Sequence, residues 1–473
     1  MNRDRIIPLI IAVALFMENM DSTIIATSLP AIAADIGADP LALKLAITSY
    51  LLSLAVFIPA SGWTADRFGA RTVFRAAIGI FVIGSIGCAF ANSLPGFVFA
   101  RIIQGMGGAM MTPVGRLVLV RSIDRRKLVD AMAWVTMPAL IGPIMGPPVG
   151  GFITTYATWH WIFIINVPIG LIGIALATRF IDDVRVEGLE RFDLTGMVLA
   201  GIGVGGLAFG LSVAGLGLVP TWIIIALIAV GAASMTAYVM HARTTFAPVL
   251  DFSLVRIPTF RATVVGGSLF RVGIGALAFL LPLLLQLGFN YTPLQSGLVT
   301  FTTALGAFTM KTFAAGFLRR FGFRNVLIYV GLIASALTAA CATFTPSTPF
   351  LFMVAILLTG GFFRSLQFTA TNTIAYADVD ARRMSRATSL VSVAQQLSVA
   401  VGVAIGALAV EITMRHGGSG VITAEDFRPA FLLVGAISAC SVILFWTLPE
   451  DAGAHMANRE PISAPDASDQ RVS

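Results

Sequence analysis

The chain has 473 residues, of which 57% are hydrophobic and only 12% charged, with a mean hydropathy of +0.89 and a net charge of +7. A water-soluble domain carries roughly twice that share of charge, so composition excludes the ordinary soluble enzyme. The apolar residues arrive in runs of about 20, the length that crosses ~30 Å of hydrocarbon, which predicts an all-α polytopic membrane protein.

The first run, residues 8–31, carries Glu18 and Asp21 in its interior. Three positions apart, the two carboxylates share one helical face. An ionisable group at that depth costs at least ~2.5 kcal/mol, so it faces a protein interior or a watery path. A carboxylate that takes up and releases a proton there is the minimum equipment for proton-coupled transport. A structural pair satisfied by neighbouring helices is the plainer alternative. The run is too long and too acidic for a cleaved signal peptide, so it is expected to stay as a membrane helix.

Further runs are expected near 44–64, 74–93, 96–119, 130–154 and 160–180, then near 193–214 and 219–241. The last six fall near 261–287, 294–317, 325–344, 349–376, 387–411 and 428–448, for fourteen transmembrane helices. The polar residues from Asp451 onward have no apolar period and are expected to be a disordered cytoplasmic tail, 450–473. Cys88, Cys341 and Cys440 lie in separate apolar runs without ligand-like neighbours, which reads as three small buried hydrophobes and no metal site.

With the N-terminus inside, 23 of the 31 Lys and Arg fall on the cytoplasmic side, clustered at Arg67/Arg71/Arg75, Arg121/Arg125/Arg126/Lys127, Arg319/Arg320/Arg324 and Arg382/Arg383/Arg386. Only Lys44, Arg415 and Arg428 fall outside. This bias puts both termini in the cytoplasm. It also accounts for the net charge, so no nucleic-acid partner is called for.

Arg67-Phe68-Gly69-Ala70-Arg71 recurs with one change as Arg320-Phe321-Gly322-Phe323-Arg324. The repeat predicts two six-helix halves, 1–180 and 261–449, joined by a linker, 181–260, that holds two additional helices. Secondary transporters are commonly built this way, with substrate between the halves near the midplane.

Three motifs carry a family resemblance. Gly62-Trp63-Thr64-Ala65-Asp66-Arg67-Phe68-Gly69-Ala70-Arg71 resembles the cytoplasmic loop signature of the major facilitator superfamily. In it, Gly62 and Gly69 permit tight turns, and Asp66 pairs with an arginine or a helix N-terminus in a contact suited to latching the halves. Arg101, in Arg101-Ile102-Ile103-Gln104-Gly105, looks like the family's fourth-helix arginine, which is associated with proton handling; snorkelling to the headgroups is the alternative. Gly142-Pro143-Ile144-Met145-Gly146-Pro147-Pro148-Val149-Gly150-Gly151 resembles the fifth-helix motif of the superfamily's antiporters. Its glycines at every fourth position make a smooth packing face and its prolines bend the helix, which a purely structural kink would also explain.

Met20-Asp21-Ser22-Thr23-Ile24-Ile25-Ala26-Thr27-Ser28-Leu29-Pro30 is similar to the first-helix signature of the fourteen-span drug:proton antiporters, the EmrB/QacA group. Trp159-His160-Trp161-Ile162-Phe163-Ile164-Ile165-Asn166-Val167-Pro168 resembles that group's sixth-helix entry, and His160, where many relatives have arginine, resembles the MdtD-like branch. The resemblance implies the major facilitator fold and proton-coupled antiport of drugs or other amphipathic small molecules by alternating access. It implies a bacterial-type inner membrane location and no cofactor, and a monomer would suffice. Asp21, Glu18 and Arg101 are the expected proton-coupling residues. The second half departs from the pattern, with Arg319 where Asp66 would align and with Arg271, Lys311 and Arg364 inside spans. Such cations either line the cavity and favour anionic or zwitterionic substrates or serve as internal counter-charges for Glu18 and Asp21; Arg271 and Arg364, near mid-span, are the two expected at the substrate cavity, and Gln104, Gln286, Gln367, Gln395 and Gln396 are further polar candidates.

Three rival functions stay open. An exporter of one metabolite (an amino acid, sugar or siderophore) would use the same equipment. A membrane sensor would not need these motifs together. An enzyme lacks a nucleophile or His constellation, and no phosphate-binding Gly-Lys-Ser/Thr loop points to ATP.

Overall fold

A chain this apolar must satisfy its backbone hydrogen bonds internally wherever lipid surrounds it, and helices do so within one segment. The computed structural model describes residues 3–123, 128–183, 192–380, 383–417 and 422–457, and among these the regular structure is helical throughout. The first half runs through α1 (Ile6–Thr27), α2 (Lys44–Phe68), α3 (Ala70–Ala89), α4 (Leu94–Ser122), α5 (Leu128–Tyr156) and α6 (Trp161–Phe180). A hairpin of α7 (Leu194–Val213) and α8 (Thr221–Thr244) follows. The remainder is α9 (Pro258–Gly288), α10 (Pro293–Phe321), α11 (Phe323–Thr343), α12 (Phe350–Ile374), α13 (Met384–Gly417) and α14 (Ala424–Trp446).

Eleven of these are long and apolar enough to cross a membrane; α4, α5 and α10, each 29 residues long, carry more polar and proline positions and fall outside that set. Local signals set several boundaries. At the start of α10 the Thr292 hydroxyl accepts from the Gln295 amide (3.2 Å) while the Gln295 side chain accepts from the Thr292 amide (2.9 Å), with Pro293 as first helical residue. Asp193 caps α7 by accepting from the Gly196 amide at 2.8 Å and also meets His241 of α8 at 2.7 Å. Asp251, in the segment after α8, accepts from Ser253 and from Arg383. Burial alone would push the Asp251 carboxyl up, but those bonds outweigh it and hold the group below its ordinary value.

Packing joins the two ends of the chain along two seams. On one, α5 lies against α10; on the other, α2 lies against α13. The extra hairpin covers the second seam, because α7 packs on both α2 and α13. At the turn between α7 and α8 Arg415 donates to the Gly215 carbonyl (2.5 Å) and to Glu411 (2.7 Å), beside a cavity of about 320 Å³ lined by Asp39, Ser93, Leu216, Glu411 and Arg415.

Two expectations need correction. Cys440 is exposed on α14, whereas Cys88 and Cys341 are buried as expected. The tail also does not begin at 450. Ala452 belongs to a buried cluster with Phe323 and Leu448, Glu450 pairs with Arg324 at 3.0 Å, and a short helix runs Ala454–Ala457. Residues 458–473 of that tail, and the expected basic residues Arg125, Arg126, Lys127 and Arg382, lie outside the described residues.

The α5–α10 seam depends on two glycines. A Cβ on Gly151 would lie 2.4 Å from the Pro293 carbonyl oxygen, and one on Gly297 would lie 2.3 Å from that of Pro147. Backbone cannot yield as a side-chain tip can, and overpacking costs ~1–3 kcal/mol. Gly297→Ala should therefore lower the melting temperature of the purified protein and reduce transport. Gly316→Ala on the same helix, where a Cβ meets nothing within 4 Å, should do neither.

Candidate functional site

Asp21 stands in the C-terminal part of α1 and is 1% exposed. Its carboxylate accepts from Arg101 Nη1 of α4 at 2.7 Å, from Gln104 Nε2 at 2.9 Å and from Asn166 Nδ2 of α6 at 2.9 Å. Arg101 is itself 1% exposed, donates to the Ala46 carbonyl of α2 at 3.2 Å and to Gln104 Oε1 at 2.6 Å, and lies over the Tyr50 ring at 4.2 Å. Gln104 and Asn166 both donate to Ser85 of α3, at 2.7 and 3.2 Å. Helices α1, α2, α3, α4 and α6 thus converge on one buried ion pair. Charge-assisted bonds of this kind are strong because no water competes for them. Arg101 points into the protein and does not snorkel.

Glu18 is three residues earlier on the same face. Its Oε2 accepts from Thr112 of α4 at 2.6 Å, and the side chain is only half-buried. One carboxylate is therefore locked by charge and the other held by a single hydroxyl.

The glycine-proline stretch of α5 backs directly onto this part of α1. A Cβ on Gly142 would meet the Phe16 carbonyl at 3.0 Å, one on Gly146 would meet Thr23 Oγ1 at 2.0 Å, and one on Gly150 would meet the Ile24 carbonyl at 2.5 Å. Four prolines, Pro138, Pro143, Pro147 and Pro148, lie within the helix. The Thr27 hydroxyl donates to the Pro147 carbonyl at 3.4 Å, and Gln286 of α9 donates to the Thr27 carbonyl at 3.0 Å. With Gly151 against α10, the motif helix touches the carboxylate-bearing helix on one face and the second half on another.

The loop motif lies at the other end of α2. Gly69 has φ +94°, a left-handed conformation that an L side chain rarely adopts, and a Cβ there would strike the Asp183 carboxylate. Gly322 in the repeated pentapeptide has φ +76°. The likeness extends to the second arginine of each copy: Arg71 donates to the Ile181 carbonyl at 3.4 Å and Arg324 to that of Trp446 at 3.3 Å. Asp66 pairs with Arg121 at the end of α4, so this contact stays within the first half and does not latch the two halves. Gly62 and Arg67 are exposed.

The expected cavity residues scatter. Gln104 belongs to the Asp21 network and is fully buried. Arg364 is 7% exposed and turned towards α11, where Nη1 reaches Thr338 at 3.4 Å. Gln367 is fully buried and donates to the Leu327 carbonyl at 3.0 Å. Gln395 and Gln396 are half-buried on α13. Arg271 is 1% exposed on α9 and donates to Asn372 of α12 at 2.7 Å. Sequence reasoning named neither Ser85, Asn166, Thr112 nor Tyr50 as site residues. Each is a polar side chain inside an apolar run, the one signal that was available for finding them.

The sequence signature of the Major Facilitator Superfamily matches residues 11–260 and 263–467. The chain belongs to the major facilitator superfamily. It is similar to the putative multidrug resistance protein MdtD of Salmonella heidelberg (strain SL476) and of Salmonella typhimurium (strain LT2), each 36% identical over 450 residues that cover 94% of this chain and 95% of the relative. That places it in the MdtD-like branch. Among solved structures, the nucleoside transporter NupG aligns with a TM-score of 0.65 at 16% identity, over 94% of this chain and 98% of that one. The D-xylose-proton symporter aligns at 0.67 and 15% identity, over 95% and 98%. These two share the fold. Membership makes the chain a multi-pass secondary transporter.

Removing one partner of a buried ion pair costs ~3–5 kcal/mol, because the other charge stays behind. Asp21→Asn and Arg101→Leu should each lower the melting temperature of the purified protein, and the double variant should be no worse than the worse single. Losses that simply add would mean that the two side chains act independently.

Proposed function

We propose that the chain is a proton-driven antiporter that exports drugs or other amphipathic small molecules across a bacterial inner membrane by alternating access. In this reading α4, α5 and α10 also span, giving fourteen transmembrane helices with both termini cytoplasmic: halves 1–180 and 261–449, and the linker 181–260 between them. It thus belongs with the fourteen-span drug:proton antiporters. The single observation that carries the reading is the Asp21 side chain, buried and paired with Arg101 at 2.7 Å in a membrane helix. The names of the MdtD relatives support the drug-export part.

Asp21 takes a proton from the acidic exterior. The neutral acid no longer attracts Arg101, so the network that gathers α1, α4 and α6 loosens and the halves turn inward-open. There the proton is released, and substrate enters from the cytoplasm. Glu18, on the same face and held by one hydroxyl, serves as a second acceptor on the path. The α5 motif carries the movement of α1 to α10. The loop glycines, with Asp66, Arg67 and Arg71, hold the cytoplasmic ends of α2 and α4 in register as the gate moves. Arg271, Arg364, Gln367 and Gln395 provide the polar groups of the second half. One charge crossing the full potential supplies about 2.3 kcal/mol per 100 mV, enough for a gradient approaching about fifty-fold.

A dedicated exporter of one metabolite is the second reading, favoured by the buried cation Arg271, which suits a defined polar group better than a general apolar site.

Proteoliposomes loaded with a pH dye test the proposal with cationic, neutral and anionic compounds added in turn. Wild type should show substrate-triggered proton movement, and Asp21→Asn should abolish it. Flux that persists in Asp21→Asn and disappears in Glu18→Gln would transfer the proton site to Glu18. Flux with one metabolite alone would select the second reading.

A further inference from the structure

Helices α9 to α12 hold positive charge and no carboxylate. Between Phe252 and Ala377 the sequence contains no aspartate or glutamate, yet Arg271, Lys311 and Arg364 sit within its helices. Lys311 is exposed and bonded to Thr369 at 3.0 Å, and Arg364 is turned to α11. Both buried arginines are incompletely met, since Arg364 Nη2 also has no acceptor among the described residues, but Arg271 is the less satisfied of the two. Its Nη2 donates to Asn372, while Nε and Nη1 are buried with no acceptor among the described residues.

Its surroundings are built to leave it so. Gly267, one turn earlier on α9, faces the guanidinium: a Cβ there would lie 2.9 Å from Nη1. The ring of Phe368 lies beside it, 5.6 Å from the guanidinium carbon. Phe368 and Asn372 are one turn apart on α12 and keep partly exposed surfaces, as do Ser268 and Ile274 next to Arg271 on α9. The cation is thus buried between two helices whose neighbouring side chains are partly exposed. Asp21 does not answer it, because its carboxylate is taken up by Arg101, Gln104 and Asn166, and Glu18 is bonded to Thr112 of α4. A guanidinium offers five donors to planar oxyanions, and an ionisable group left unpaired in a membrane marks a functional site.

We propose that Arg271 is the docking point for an anionic group of the transported molecule, a carboxylate foremost, with the Phe368 ring against its apolar body and Asn372 as a second polar contact. The proposal rests on the transport reading above and names the class of substrate it moves: amphipathic organic anions.

Equilibrium binding tests this without any demand on proton coupling. Fluorescein and rhodamine 6G share a xanthene ring system and carry opposite charge, and the fluorescence anisotropy of each reports binding to the purified full-length protein in neutral detergent. Wild type should bind fluorescein, and Arg271→Gln should weaken that binding at least about tenfold, the loss expected for a charge-assisted bond, while rhodamine 6G binds unchanged. Arg271→Lys, which keeps charge without the planar fork, should fall between. Should Arg271→Gln not fold, Asn372→Ala and Phe368→Leu carry the test, each weakening fluorescein selectively. Equal fluorescein binding by wild type and Arg271→Gln overturns the proposal. Binding of rhodamine 6G alone also overturns it, and leaves the antiport reading intact. Competition by phosphatidylglycerol, with no movement of fluorescein by reconstituted protein, would assign the site to a lipid phosphate and overturn it too.

Discussion

A carboxylate and a guanidinium cannot be taken out of water unless each answers the other, and the first half of this protein is organised around that requirement. Asp21 and Arg101 meet at 2.7 Å with both side chains almost wholly buried. Desolvating two charges costs several kcal/mol per ion, so the remaining donors and acceptors must also be met. Gln104, Asn166, Ser85, the Ala46 carbonyl and the Tyr50 ring meet them, and each comes from a helix that must be in place for the contact to exist. The pair therefore constrains the arrangement of five helices. For the same reason, adding a proton to one of its members changes all of them together.

The two halves share a backbone plan but not a charge plan. The repeated pentapeptides carry left-handed glycines at the same position, and their second arginines reach carbonyls at the end of the last helix of each half. Within the membrane the likeness ends: the first half pairs Asp21 with Arg101, whereas Arg271 and Arg364 of the second pair with no acid among the described residues. In the antiport reading proposed above, this division assigns the proton to the first half and the substrate's charged group to the second. The α5 motif bridges them, pressed against α1 by Gly142, Gly146 and Gly150 and against α10 by Gly151.

Much of this was legible in the sequence, because apolar length marks membrane helices strongly. The helix expected near 193–214 runs Leu194–Val213, and the one expected near 349–376 runs Phe350–Ile374. The pairing of Asp21 with Arg101 followed from two charges at similar depth. What sequence did not supply was helix rotation. A helix that is apolar all round offers no stripe to say which face meets protein, so Arg364 turned towards α11 and Cys440 turned outwards were both unreadable. Convergence was unreadable as well. Ser85, Gln104 and Asn166 are ordinary polar residues in separate runs until three dimensions bring them to one carboxylate. The Asp66–Arg121 pair shows the same limit, since the motif gave the acid its role but not its partner.

Infrared difference spectroscopy of the reconstituted protein during acidification measures the state of the Asp21 carboxyl most directly. A protonated acid in a dry site has its own carbonyl stretch. The account predicts that such a band grows as the pH falls, is absent in Asp21→Asn, and is present in Glu18→Gln. An unchanged band in Asp21→Asn, or no protonated-acid band at any pH at which the protein transports, would contradict it.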